Sequence, residues 1–196
     1  MNNKIYVLLV VFFLVGFIYQ QYFVPEIKEL SGDAVTYDSI AKNLIENGQY
    51  SLETDEGPTV RRAPLYPIFL TIIYLLFGYN YYIVQIVQLF LLIVGGYVLT
   101  RSIKLLSPHK AIPILGLLLY MTYFPLLYYT SLILTEILFT TLMIIFSYYL
   151  IKSIQFENQK DLIKSGLILG LVTLCKPVTL LLPIFIIIVS FFLKNR

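Results

Sequence analysis

The chain has 196 residues, of which 59% are hydrophobic and 13% charged, with a mean hydropathy of +0.83. A soluble domain of this size carries about 25% charge, so a soluble globular class is excluded. A single Cys (Cys175) and a single His (His109) exclude an intramolecular disulfide and any Cys- or His-rich metal centre, and a net charge of +3 gives no reason to expect nucleic acid.

The first apolar run, 5–24, follows Lys4 and has no small-residue cleavage pattern behind it, so it reads as an uncleaved signal-anchor helix. Residues 25–64 form the first polar loop. It holds eight of the eleven acids (Glu26, Glu29, Asp33, Asp38, Glu46, Glu53, Asp55, Glu56) against Lys28, Lys42, Arg61 and Arg62, a net of −4. Within it, Ala34, Tyr37, Ile40, Ala41, Leu44 and Ile45 recur at spacings of three and four, which predicts an amphipathic helix over 33–47. Asp33 is its expected N-cap and Asn47-Gly48 its stop, and Asp38, Ser39, Lys42, Asn43, Glu46 and Asn47 are expected on the solvent face. A short extended piece, 49–53, leads to an acidic turn, Asp55-Glu56-Gly57-Pro58, read as solvated rather than metal-binding. Arg61 and Arg62 then stand at the membrane surface, where guanidinium forks suit a phosphate-bearing lipid.

Residues 65–77 are too short to span, because thirteen residues give about 20 Å of helix against a core of about 30 Å, and they are expected as an interfacial helix. Membrane helices are expected over 81–103, 111–128, 131–151, 165–175 and 178–193, the last two interrupted at Lys176-Pro177; one kinked helix over that region is the alternative. With the N-terminus cytoplasmic and the first loop extracytoplasmic, Lys4, Arg101, Lys104, Lys110, Lys152, Lys160, Lys164, Lys194 and Arg196 lie inside with Glu157 and Asp161, a net of +7. His109 falls in a cytoplasmic loop. Glu136 and Lys176 are left over and cancel. An intramembrane carboxylate costs on the order of 2.5–3.5 kcal/mol at the bilayer centre, so Glu136 should face a cavity or a cation. The tyrosines and phenylalanines near residues 19–23, 79–82 and 123–129 read as an outer aromatic belt. The expected fold is therefore all-α, a polytopic bundle of about six membrane helices in the cell membrane, with a juxtamembrane helix in its first outer loop.

Three motifs carry a resemblance. The first is Gly32-Asp33-x-x-x-Tyr37-x-x-x-Ala41-x-Asn43-Leu44-x-x-x-Gly48-x-Tyr50-Ser51 with Arg62-x-Pro64-Leu65-Tyr66-Pro67. The second is Thr135-Glu136-Ile137-Leu138-Phe139, and the third is Gly166-Leu167-x-x-Gly170-Leu171-x-x-Leu174-x-Lys176-Pro177. In this order they resemble the N-terminal part of the GT-C-fold membrane glycosyltransferases, of the protein O-mannosyltransferase and aminoarabinose transferase group. The resemblance implies transfer of a sugar from a polyprenyl phosphate to an acceptor hydroxyl on the outer face. It implies Asp33 as general base, with Arg61, Arg62, Tyr37, Tyr66, Glu136 and Lys176 binding substrate or lipid phosphate. Lys176 stands where such proteins more often have Arg. No cofactor is expected, a divalent metal being left open. Expected partners are the polyprenyl-linked sugar and anionic lipids, with an unidentified acceptor. Family members usually run longer, so a truncated chain, or a partner chain supplying further helices, is expected too. The rival readings are a non-catalytic fragment or assembly partner of such an enzyme, and a protein that binds anionic lipid without chemistry.

Overall fold

The computed structural model describes residues 3–24, 30–53 and 57–194. Glu26, Lys28, Glu29, Asp55, Glu56 and Arg196, which entered the loop and charge expectations, lie outside the described residues. The described residues are helical throughout their regular structure, with no strand, and form a helical membrane bundle. Three helices, α1 (Asn3–Phe23), α4 (Tyr81–Leu106) and α7 (Glu136–Phe156), are each long and apolar enough to cross a membrane. Between and after them come α2 (Asp33–Glu46), α3 (Leu65–Phe77), α5 (Ile112–Thr122), α6 (Phe124–Tyr129), α8 (Gln159–Cys175), a single 3-10 turn (Pro177–Thr179) and α9 (Leu182–Lys194).

α4 is the hub. It packs against α1, α5 and α7, while α7 packs against α8 and α2 against α3. The buried face of α1 is Ile5, Leu9, Phe12, Gly16 and Gln20, at spacings of three and four. Gly16 lets α1 approach closely, since a β-carbon there would sit 2.6 Å from Leu89 Cδ1. After the 3-10 turn, Leu182 and Ile186 of α9 pack against the Phe146, Leu169 and Val172 cluster.

Several expectations are corrected. The expected span 111–128 is two helices, because Pro125 lacks the N–H that would continue the ladder and restricts Phe124 before it. The helix expected to start at Ser131 starts at Glu136. The hydroxyls of Thr130 and Ser131 bond back to the carbonyls of Leu127 and Tyr128 at 2.6 Å each, closing α6 instead of extending a helix. The expected cytoplasmic loop after 151 is a tight turn: Glu157 takes a left-handed conformation (φ 50°) and the Asn158 side chain caps α8 at Lys160 N. Asp161 is buried there, paired with Lys152 at 2.9 Å and with Lys164 at 3.8 Å.

Buried non-helical backbone must find hydrogen-bond partners inside the protein. Here α4 supplies them. Gln88, fully buried, donates to the carbonyls of Thr130 (3.0 Å) and Leu132 (2.7 Å), and Gln85 donates to that of Ser131 (2.8 Å). Gln20 of α1 completes the net by donating to Gln85 O and Thr130 Oγ1. Gln88→Leu should therefore lower stability in detergent by about 1–2 kcal/mol, taking roughly 0.6 kcal/mol per lost bond; a thermal unfolding midpoint equal to that of the unmodified chain would contradict this.

The solvent face assigned to the first-loop helix is also corrected. Asp38 is 6% exposed and Asn43 8%. Asp38 accepts hydrogen bonds from Tyr74 (2.7 Å) and Tyr81 (3.2 Å) and pairs with Lys42 at 2.7 Å. Asn43 donates to Ser51 O at 3.0 Å. Burial lowers the Lys42 pKa, but Asp38, with a smaller contribution from Tyr81, outweighs it and the ammonium pKa is raised. The helix is thus clamped on a second side by α3, the start of α4 and the loop.

Candidate functional site

Gly32 adopts φ +59° and starts α2, so Asp33 is the first helical residue rather than the N-cap, and it makes no side-chain cap bond. This corrects the expected cap. A carboxylate in the first turn still complements the helix dipole, and here its partner is an arginine. Arg62 donates from an Nη to Asp33 Oδ1 at 2.5 Å and lies 3.5 Å from Thr36 Oγ1. Its guanidinium stacks over the Tyr37 ring, 5.2 Å from the centroid.

The loop holds Arg62 from behind. The Tyr50 hydroxyl donates to Arg62 O at 3.0 Å, and Thr59 N donates to Tyr50 O at 2.8 Å. Burial, with a smaller contribution from Tyr37, pushes the Tyr50 phenol up to about 12, so it stays protonated and keeps donating. Burial also raises Tyr37, opposed by the adjacent Arg62 cation and reinforced by Asp33; Thr135 and Glu136 act on the same hydroxyl. Tyr37 therefore lies within electrostatic reach of both the Asp33–Arg62 pair and Glu136 at the start of α7.

Glu136 Oε1 pairs with Lys176 Nζ at 2.9 Å. The two charges left over from the charge tally are thus partners. Lys176 follows the last residue of α8 and also sits 5.4 Å from the Phe139 ring centroid. Cys175 is buried beside them, its Sγ 4.0 Å from Thr135 O.

Of the seven residues singled out in the sequence, the structure pairs Asp33 with Arg62, sets Arg62 over Tyr37 and pairs Glu136 with Lys176. Tyr66 is fully buried beneath them; its ring meets Tyr37 edge-on at 5.0 Å and its hydroxyl donates to Gln88 Oε1 at 3.1 Å, away from Arg62. It forms the floor and ties the site to the glutamine network. Arg61 is exposed and, among the described residues, forms no ion pair. Thr36 and Thr135 were missed as contributors, although Thr135 stands inside the second motif. Among the described residues no group of His, Cys, Asp and Glu side chains could hold a metal ion.

Two valences in the site are open. Arg62 Nε and Glu136 Oε2 are buried and have no hydrogen-bond partner. The arrangement offers an accessible carboxylate, two cations and an aromatic floor.

Comparison with curated proteins and with solved structures gives no match. The family model described as dolichyl-phosphate-mannose-protein mannosyltransferase matches residues 61–196, which include Arg62, Tyr66, Glu136 and Lys176 but not Asp33 or Tyr37. That match covers more than half of the chain, and with the helical membrane bundle around the site it makes this protein a member of the dolichyl-phosphate-mannose-protein mannosyltransferase family.

Proposed function

We propose that the chain transfers a sugar from a polyprenyl-phosphate donor to an acceptor hydroxyl on the outer face of the membrane, with Asp33 as general base. The observation that supports this reading is the Asp33–Arg62 pair, its guanidinium over Tyr37, beside a second carboxylate–cation pair, Glu136–Lys176, whose charge acts on Tyr37. The family name supports a polyprenyl-phosphate sugar as donor.

In the proposed step the acceptor oxygen attacks the anomeric carbon as Asp33 takes its proton. The bond from that carbon to the phosphate oxygen breaks, and the electron pair leaves with the phosphate. A hydroxyl is a weak nucleophile unless a carboxylate is placed to receive its proton. Arg62 engages Oδ1 of Asp33, which leaves Oδ2 for the acceptor, and the Asp33 side chain is more than half exposed and reachable. The developing charge on the phosphate needs cations in place, and Arg62 and Lys176 supply them. Glu136 orients Lys176 and offers its second oxygen to a sugar or acceptor hydroxyl.

A site built only to trap an anionic lipid would leave its cations unpaired; here each cation already carries a carboxylate, which favours turnover over static binding. The test is transfer in membranes containing the chain. Radiolabelled sugar supplied on polyprenyl phosphate should pass into an acceptor fraction, and the same sugar supplied on a nucleotide should not. Absence of transfer from polyprenyl phosphate would overturn the reading.

A further inference from the structure

At the end of the bundle away from Asp33, a cavity of about 510 Å³ opens between the start of α1, the end of α4 and the start of α5. Its lining is Ile5, Lys104, Ser107, Pro108, His109, Lys110 and Pro113. Lys104 lies 23 residues along α4 from Tyr81, which contacts the first-loop helix, or roughly 35 Å at the helical rise, so this cavity is separate from the site above. No carboxylate lines it. The neighbouring cations are differently placed: Lys152 and Lys164 are held by Asp161, and Arg101 rests against Tyr97 and Tyr148. Lys104, His109 and Lys110 form no ion pair among the described residues.

We propose that this cavity binds the phosphate-bearing headgroup of an anionic membrane lipid. Two lysines, an imidazole and a hydroxyl converge on a volume within the range of small-ligand sites, larger than a bare phosphate needs. The surface beside it decides between a lipid and a free anion. Exposed Val7, Leu106, Ile112 and Leu115, on α1, α4 and α5, each lie within two residues of the lining and offer apolar surface to acyl chains. A headgroup in the cavity thus leaves its chains on lipid-facing helix. Basic pockets of this kind between membrane helices gain affinity for anionic headgroups from each cation.

The experiment titrates the full chain in neutral detergent with dioctanoyl phosphatidylglycerol, dioctanoyl phosphatidylcholine and inorganic phosphate, reading bound lipid by native mass spectrometry and the unfolding midpoint in parallel. Phosphatidylglycerol should bind and raise the midpoint, and the other two should not. The Lys104→Gln/Lys110→Gln variant should bind it on the order of 30-fold more weakly, from about 1 kcal/mol per lost cation. Lys160→Gln, which removes an exposed cation outside the cavity, should leave binding unchanged. Both lysines are exposed, so the double variant should fold, and its midpoint without lipid reports that directly; should it fail, His109→Gln alone should weaken binding several-fold. Equal binding of phosphatidylcholine, an equal response to inorganic phosphate, or an equal loss in Lys160→Gln would each overturn the proposal.

Discussion

Asp33→Asn is expected to slow sugar transfer by about 100- to 10,000-fold, the range that a positioned general base contributes, with the unfolding midpoint almost unchanged. The separation follows from exposure. The Asp33–Arg62 pair is partly solvated, with Asp33 more than half exposed, and such pairs add about 0–1 kcal/mol to stability. The amide keeps the size of the carboxylate and an acceptor oxygen for Arg62, so donor binding should persist and the loss should fall on kcat rather than KM. Asparagine cannot take up a proton, and neither raising the pH nor raising donor concentration should restore the rate. Initial-rate measurements over donor concentration and pH make the check. A variant that retains full kcat would remove Asp33 from the role of base while leaving membership of the family intact.

Asp38→Leu should do the opposite, costing about 2–4 kcal/mol of stability, as expected when one partner of a buried charge pair is removed. The carboxylate is 6% exposed and satisfies two tyrosine hydroxyls and Lys42. Its removal leaves Tyr74 without its acceptor inside the protein and Lys42 without its counter-charge. The double variant Asp38→Leu/Lys42→Met should recover the part of the loss that comes from Lys42, leaving the part that comes from the Tyr74 hydroxyl. The four unfolding midpoints of the cycle in detergent test this. A single variant as stable as the unmodified chain would show that the clamp carries no weight. Transfer should fall along with stability, because Asp33 is on the same helix, whereas Asp33→Asn should lose rate alone.

The contrast between these two aspartates shows what the sequence could reveal. Apolar spacing located the first-loop helix and its greasy face. It could not show that Asp38 and Asn43 are buried too, because periodicity weighs hydrophobicity and not the reach of Tyr74, Tyr81 and the Ser51 carbonyl from elements far along the chain. Gln85 and Gln88 were hidden for a related reason: a hydrocarbon run was judged by its lack of charge, and uncharged amides pass that filter. The break before Glu136 has neither Gly nor Pro at its start, so only the back-bonded Thr130 and Ser131 hydroxyls reveal it. At the site, Glu136 and Lys176 were each legible as misplaced charges, but their pairing spans forty residues of chain and needed the packing of α7 on α8. Charge alone could not separate Arg61 from Arg62, although the first motif contained only Arg62. The fold separates them by turning one toward Asp33 and leaving the other in solvent.

The amide net on α4 bears on the order of assembly. Gln85 and Gln88 leave the ribosome more than forty residues ahead of the Thr130–Leu132 carbonyls that they satisfy. The irregular stretch is thus made after the donors that satisfy it, and it need not wait on later segments to bury those carbonyls. Amides also hold no proton that ordinary pH can remove and no charge that salt can screen. The joint that seats α7, and Glu136 at its first turn, should therefore set early during synthesis and hold the same geometry across the ionic conditions of both membrane faces.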